Sequence, residues 1–180
     1  MESSSDQRRI ALIVLAEGMI TAASVASGAR LFAGVVGWLA GLLAWTVVEY
    51  LLHRFLFHLP PQHPLARLGA RMHYEHHDAP AQRPIVKPPA LTLGAFALTL
   101  TLAATLAGLA RVTPFWGGLV AGYLLYELSH VAIHALDEAR HPWPAQRRRH
   151  LDHHADPHRS FGISSPLWDL VLGTGTDEPH

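Results

Sequence analysis

The sequence predicts an all-α integral membrane protein, in which four transmembrane helices carry a histidine-rich cap that binds two metal ions at the cytosolic face. Only 16% of the 180 residues are charged, 49% are hydrophobic, and mean hydropathy is +0.16. This balance is typical of a membrane protein rather than a soluble domain. Long apolar runs recur along the chain, and ten of the fourteen histidines fall into four tight clusters. The length predicts a single domain over residues 1–180.

Four apolar segments are predicted to span the membrane, because about 20 residues of helix cross the hydrocarbon core. The prolines at 60–61 end the second helix. The third and fourth helices are predicted to form a hairpin around a tight turn at 111–114, and glycines at 117–118 and 122 allow close helix packing. The predicted spans are residues 10–27, 31–52, 91–110 and 115–136.

The first segment has a competing interpretation as a cleaved signal peptide. Arg8 and Arg9 precede the apolar run at 10–27, and small residues follow it. We expect a retained helix with Glu17 facing the bundle, since cleavage would leave little chain before the next span.

All four histidine clusters fall on one side of this predicted topology. Of the fourteen Lys and Arg residues, Arg30 and Arg111 lie on the opposite side, which leaves twelve on the histidine side. The positive-inside rule makes that side cytosolic, and we expect a bacterial inner membrane. A net charge of zero predicts no nucleic-acid partner. Topology and anionic headgroups explain the triple arginine at 147–149 better than nucleic acid does.

The histidine clusters predict metal binding. One unit, a histidine, two other residues and then two histidines, occurs at 73–77 and again at 150–154. Neutral imidazole is the commonest protein metal ligand. Because the chain contains no cysteine, any metal must be held by nitrogen and oxygen. The predicted ligands are His53, His58, His73, His76, His77, His130, His134, His150, His153 and His154.

Helical spacing predicts how these ligands divide. Adjacent residues point about 100° apart, so the two histidines of each doublet are expected to serve different ions. His53 and His58 point about 140° apart by the same geometry, and they reach different ions or share one if the helix is bent. Since ten imidazoles exceed what one metal accepts, the sequence predicts two metals. Residues three or four apart share a face, which is expected to bring three pairs each onto one metal: His73/His76, His130/His134 and His150/His153.

The chemistry of the ligands favours iron as the working metal. Imidazole suits zinc, copper, iron and nickel alike, but zinc has no redox chemistry and a structural zinc needs only four ligands. Two irons beside a bilayer suit dioxygen activation on a lipid chain. Binding order favours zinc over ferrous iron, so we expect zinc in overexpressed protein. Four carboxylates are expected to orient the rings through their second nitrogen: Glu49, Glu127, Asp152 and Asp156.

These motifs resemble the membrane fatty acid hydroxylase and sterol desaturase superfamily, and within it the fatty acid 2-hydroxylase branch. The resemblance implies that the ten clustered histidines are the ligands of two metal ions. It also implies that dioxygen and two external electrons hydroxylate a lipid, in this branch beside the acyl carbonyl of a fatty acid or sphingolipid. The resemblance covers residues 45–174, and the segments that carry it are Glu49–His58, His73–Pro80 with Pro88 and Pro89, Tyr126–His134, His150–His154 and Phe161–Thr174.

The chain departs from the family pattern in two places. Many relatives carry an N-terminal cytochrome b5 domain, which nine polar residues before the first span cannot hold. Electrons are therefore expected from a separate protein such as cytochrome b5 or a ferredoxin. The family often has a second histidine just after the position of His134, where this chain has Ala135.

Two alternative functions remain open from the sequence. The first is a sterol or carotenoid hydroxylase or desaturase of the same superfamily, because the outcome depends on how the substrate carbon is held. The second is a non-catalytic membrane metal sensor. A transporter would place its ligands near the bilayer midplane, whereas these gather at one face.

Overall fold

The computed structural model describes residues 31–80 and 89–175 together with Leu15, and every regular element in this part of the chain is helical. The predicted all-α class is confirmed for these residues. Apart from Leu15, the predicted span at 10–27 lies outside them. The elements are α1 (Leu31–Leu51), a π-helix (Leu52–Phe57), a 3-10 helix (Ala66–Leu68), α2 (Ala70–Asp78), α3 (Pro89–Ala107), α4 (Leu109–Ala135), α5 (Pro144–Ala155) and α6 (Leu167–Leu172).

Within the described residues, one helix is long and apolar enough to cross a bilayer. It is the continuous run of α1 and the π-helix, Leu31–Phe57, which has 27 residues and contains an 18-residue stretch with a mean hydropathy of 2.0. Its apolar side chains are largely exposed, as at Phe32, which is 80% exposed. Length and composition do not single out α3, whose apolar part Gly94–Ala107 is shorter, or α4. Residues 91–107 and 115–135 of the third and fourth predicted spans are thus helical, but their crossing of a membrane stays a prediction.

The chain reverses between α3 and α4 at Gly108, which corrects the predicted turn at 111–114. Gly108 has φ 86°, a left-handed conformation that glycine adopts without a steric penalty. Residues 111–114 instead belong to the start of α4, and the backbone N–H of Arg111 donates to the Gly108 carbonyl at 3.1 Å. Pro114 lies inside the helix near its beginning, where it removes one hydrogen bond without ending the helix.

The described residues divide into two compact units. Residues 31–45 with 89–125 form one, here called the apolar unit, and residues 46–80 with 126–175 form the other, here called the histidine unit.

Glycines bring α1 and α4 into backbone contact within the apolar unit. A methyl group on Gly41 would overlap the carbonyl oxygen of Phe115, and one on Gly118 would overlap that of Trp38. A methyl on Gly122 would lie against the side chain of Trp45. Small residues at such contacts allow close helix packing, so the role predicted for Gly118 and Gly122 is confirmed.

Three aromatic rings connect the helices of the apolar unit. Trp45 of α1 meets Tyr123 of α4 edge-on, with ring centroids 5.2 Å apart. Phe96 of α3 lies 5.7 Å from the same tyrosine ring. Aromatic pairs in this geometry contribute about 0.5–1.5 kcal/mol beyond the area that they bury, so the cluster joins α3 to the glycine-packed pair.

Two short helices of the histidine unit begin or end at residues that favour helix boundaries. Pro144 stands at the first position of α5, where its missing N–H costs no helical hydrogen bond. Gly173 ends α6 with φ 64°, the left-handed cap that glycine supplies most readily. The start of α5 and the end of α6 therefore follow from the conformational preferences of these two residues.

We expect the substitution Gly41→Ala to destabilise the protein by about 1–3 kcal/mol, the usual cost of overpacking a tight contact. The added methyl would force α1 away from the Phe115 carbonyl. Thermal unfolding in detergent micelles, followed by circular dichroism, measures the change. Gly34→Ala is the matched control, because no atom lies within 4 Å of its added methyl. Equal melting temperatures for the two variants would contradict close packing at Gly41.

Candidate metal centre

The structure brings the ten predicted ligands together in two groups of five. In each group, one ring nitrogen from every histidine lies within 4.8 Å of the others. The first histidine group consists of His53, His58, His73, His77 and His153. The second histidine group consists of His76, His130, His134, His150 and His154.

Each histidine doublet is divided between the two groups, as the 100° turn between neighbours predicts. Residues four apart, such as His73 and His77, share a group. They lie about 40° apart around a helix, whereas residues three apart lie about 60° apart. The structure consequently separates two pairs that helical spacing was expected to bring together: His73/His76 and His150/His153.

The π-helix explains how His53 and His58 reach the same group. Its hydrogen bonds join residues five apart, so side chains at this spacing come to the same face. The two rings are stacked with centroids 5.2 Å apart. Of the two sequence alternatives, the structure therefore shows the shared site reached by a departure from the α-helix.

The spacing of the nitrogens fits metal binding rather than hydrogen bonding. A neutral imidazole has a single N–H, so His73 Nε2 cannot be hydrogen-bonded to three other rings at once. A metal about 2.1 Å from two nitrogens at a right angle sets those nitrogens about 3.0 Å apart. The observed distances from His73 Nε2 are 3.1, 3.0 and 2.9 Å to Nε2 of His53, His58 and His77.

The second group repeats this spacing. Its Nε2–Nε2 distances are 3.1 Å for His130–His76, 3.0 Å for His134–His150 and 3.0 Å for His154–His150. The two groups are also neighbours, because the rings of His77 and His154 are stacked with centroids 4.2 Å apart and planes 18° apart. The donor set thus fits two adjacent ions, one in each group.

Burial keeps these imidazoles in the neutral form that binds metal. Burial, followed by repulsion from His153, lowers the pKa of His58 to about 4 and that of His77 to about 3. Burial and the neighbouring His77 lower the pKa of His154 to about 2. Neutral rings are the ones with a lone pair to donate, so no proton has to leave these sites at pH 7.

Backbone carbonyls fix the orientation of two rings in the first group. His53 Nδ1 lies 2.5 Å from the carbonyl oxygen of Phe161, and His153 Nδ1 lies 2.6 Å from that of Arg159. A carbonyl only accepts hydrogen bonds, so each Nδ1 carries the proton. Each Nε2 is then left with its lone pair directed into the group. We call residues 159–164, which supply these oxygens, the carbonyl loop.

Glu49 holds one end of the carbonyl loop. Its buried carboxylate accepts the backbone N–H of Ile163 at 2.5 Å and that of Ser164 at 2.8 Å, and it also accepts the Ser164 hydroxyl. The sequence predicts that this carboxylate orients a ring through its second nitrogen. In the structure Glu49 acts on the ring indirectly. It holds the carbonyl loop, and the Phe161 carbonyl of this loop accepts a hydrogen bond from His53.

Asp169 of α6 holds the other part of the carbonyl loop, and sequence reasoning missed it. Its carboxylate is 2% exposed and accepts the backbone N–H of Phe161 at 2.9 Å and of Gly162 at 2.7 Å. It also accepts the Thr174 hydroxyl at 2.7 Å. The signal that could have identified it is an aspartate inside the otherwise apolar run of α6.

The other three carboxylates that were predicted to orient the rings differ in their surroundings. Glu127 is buried in α4, three residues before His130. Asp152 and Asp156 are exposed. Asp156 pairs with Arg159 at 3.6 Å, and its negative charge opposes the lowering of the His153 pKa by burial.

Residues 38–174 match the fatty acid hydroxylase family. The chain is 39% identical over 145 residues to the fatty acid 2-hydroxylase of Rattus norvegicus, covering 74% of this chain and 38% of that protein. It is 36% identical over 167 residues to the fatty acid 2-hydroxylase of Homo sapiens, covering 87% and 44%. It is also 36% identical over 151 residues to the ceramide very long chain fatty acid hydroxylase scs7 of Schizosaccharomyces pombe, covering 76% and 41%.

The fold is similar to that of a solved structure, full-length scs7p with its hydroxylase domain visible. The TM-score is 0.75 at 29% identity, covering 90% of this chain and 65% of that chain. The chain spans less than half the length of the curated relatives described above. The resemblance predicted from the histidine motifs, including the 2-hydroxylase branch, is confirmed.

We expect Asp169→Asn to weaken metal binding in the first histidine group while sparing the second. An amide presents a donor to one of the N–H groups that the carboxylate now accepts, which costs about 1–3 kcal/mol and releases the carbonyl loop from His53 and His153. Elemental analysis of the purified protein is expected to fall from two metals per chain toward one. Asp152→Asn, an exposed position on α5, is the matched control. Retention of both metals by Asp169→Asn would show that the loop does not position these ligands.

Proposed function

Because the chain belongs to the fatty acid hydroxylase family, we propose that it hydroxylates the acyl chain of a fatty acid or sphingolipid. The reaction would consume dioxygen, two electrons and two protons, and would release the hydroxylated lipid and water. The observation that carries the proposal is the pair of adjacent five-histidine groups. One such group would suffice for a structural metal, whereas two side by side suit a reaction that needs two electrons at one place.

The ten histidines of the two groups would hold two metal ions, and we propose iron as the working metal. When bound, two irons would supply the redox chemistry that makes dioxygen reactive toward an unactivated carbon. The chain's own contribution is to keep the imidazoles neutral by burial and to fix the tautomers of His53 and His153 through the carbonyl loop. A hydrogen bond from Nδ1–H to a carbonyl oxygen raises the basicity of the ligating nitrogen and fixes the orientation of the ring.

The position of the new hydroxyl is proposed to be carbon 2, next to the acyl carbonyl. The relatives named above from Rattus norvegicus and Homo sapiens carry the name fatty acid 2-hydroxylase. The Schizosaccharomyces pombe relative is named for a ceramide fatty acid. Both a free fatty acid and a ceramide therefore belong to the proposed substrate class.

We propose that the whole chain forms one membrane domain with four spans and with the metal centre on the cytosolic side of a bacterial inner membrane. The apolar helix Leu31–Phe57 supports membrane insertion. Twelve of the fourteen Lys and Arg residues lie on the histidine side of the predicted topology. This distribution supports the cytosolic orientation. Electrons would come from a separate protein such as cytochrome b5 or a ferredoxin.

Expression in a host without any lipid 2-hydroxylase tests the activity. We expect 2-hydroxy acyl lipids by mass spectrometry from the wild type and none from His76→Ala or His153→Ala, each of which removes one fully buried ligand from one group. The metal content of each variant is expected to drop below two per chain. His63→Ala, in an exposed turn outside both groups, is the control. Hydroxylated lipid from either ligand variant would refute the proposal.

Metal exchange tests the identity of the working metal. Zinc binds imidazole sites more tightly than ferrous iron does, so protein overexpressed in air is expected to contain zinc and to lack activity. Removal of zinc by a chelator, followed by anaerobic addition of ferrous iron, is expected to produce hydroxylation. A zinc-loaded protein that hydroxylates lipid at the same rate as the iron-loaded one would exclude iron as the required metal.

A further inference from the structure

A cavity of about 500 Å³ adjoins the first histidine group. This volume lies within the range of about 300–1,000 Å³ that small-molecule sites occupy. The cavity is mostly aromatic but contains one permanent cation, the guanidinium of Arg54. Its lining consists of Arg54, Phe55, His58, Tyr74, Pro157, His158 and Phe161.

Arg54 is held in place by rings rather than by an acid. Its Nη1 donates to the Tyr50 hydroxyl at 2.7 Å. The guanidinium carbon lies 5.8, 5.1 and 5.6 Å from the ring centroids of Tyr50, Phe55 and Phe161. In the part of the chain that the structure describes, no carboxylate pairs with it. A guanidinium has five N–H groups, so several remain to donate to an oxygen in the cavity.

The cavity and the metal centre share one residue. His58 lines the cavity, and its Nε2 lies 3.0 Å from His73 Nε2 and 3.1 Å from His153 Nε2 inside the first group. Arg54 belongs to the π-helix, and His58, four residues later, is the residue that follows the end of this helix. A molecule that binds Arg54 in this cavity is therefore held beside the first histidine group.

Hydroxylation at carbon 2 places a specific demand on such a molecule. Carbon 2 is bonded directly to the acyl carbonyl carbon, so the carbonyl oxygen must be held within a few bond lengths of the reacting hydrogen. An arginine is suited to this task, because its planar fork binds carboxylate oxygens in a fixed geometry. The rings of Phe55, Tyr74 and Phe161 offer apolar surface to the first carbons of the chain.

We propose that Arg54 binds the carbonyl oxygen of the acyl substrate and thereby places carbon 2 beside the first histidine group. The proposal rests on the proposed function and names Arg54 as the residue that determines position. The same chemistry accommodates a fatty acid carboxylate and the amide carbonyl of a ceramide. Because the rings already hold the guanidinium, little side-chain freedom is lost on binding.

Equilibrium binding of radiolabelled lipids to the full chain in detergent micelles tests the site directly. We expect the wild type to bind palmitate at least tenfold more tightly than hexadecanol, which lacks the carbonyl. Arg54→Gln is expected to lose that preference, since a hydrogen bond to a charged group contributes about ten- to a hundredfold in affinity. Arg54→Lys keeps the charge and is expected to retain part of the preference. N-palmitoylsphinganine, measured in parallel, shows whether a carboxylate or an amide carbonyl is bound.

Arg71→Gln is the matched control, because Arg71 is 83% exposed and pairs with Glu75 outside the cavity. Unchanged metal content and melting temperature in Arg54→Gln would show that the variant is folded. If folded Arg54→Gln binds both palmitate and N-palmitoylsphinganine as the wild type does, the proposal is wrong.

The position of the product hydroxyl gives a second, independent readout. We expect Arg54→Gln to raise KM more than it lowers kcat and to scatter the hydroxyl beyond carbon 2. An unchanged KM together with exclusive 2-hydroxylation would overturn the role of Arg54. If the wild type makes no hydroxylated lipid yet prefers palmitate to hexadecanol through Arg54, the proposed function fails while the binding site stands.

Discussion

Ten imidazoles, six of them buried and four half-buried, direct their lone pairs at one another, and this is the constraint on which the rest of the histidine unit depends. The ring nitrogens of each set of five lie within 4.8 Å of one another. The contacts of 2.9–3.1 Å that His73 Nε2 makes with three other rings exceed what hydrogen bonds between neutral rings can satisfy. A buried acceptor without a partner costs about 1–3 kcal/mol, so this arrangement is favourable only around cations. Three features keep those lone pairs converging: the burial of the rings, the π-helix and the carbonyl loop.

The carbonyl loop is the means by which the chain meets that constraint. Five successive backbone N–H groups, from residue 160 to 164, are all accepted within the unit: one by the Thr174 carbonyl, two by Asp169 and two by Glu49. Buried backbone groups must be paired, and here the pairing leaves the carbonyls of Arg159 and Phe161 free to accept from histidine. Two carboxylates thus act on the metal centre through the backbone, without touching a ring.

Phe161 links the metal centre to the aromatic cavity. Its carbonyl accepts from His53, whereas its ring lines the cavity and lies 5.6 Å from the Arg54 guanidinium carbon. Phe161 thus belongs to both sites, and Glu49 and Asp169 position it when they hold the carbonyl loop. The proposed substrate site and the proposed metal site share this support, which gives the loop a role in relative placement as well as in ligand orientation.

The sequence by itself determined the all-α class, the ten clustered histidines, the family and the division of each doublet, because these follow from composition, motif and the 100° turn between neighbouring helical residues. Only the tertiary structure decided which rings share a group, since His53 and His58 meet through a π-helix that α-helical geometry does not predict. Only the tertiary structure assigned Glu49 to the loop and revealed Asp169, because the two carboxylates lie 120 residues apart in the chain and meet at backbone groups that carry no sequence signature. The position of the turn at Gly108 was likewise decided by a left-handed backbone conformation. The sequence favoured residues 111–114 instead, because Pro114 is typical of a turn.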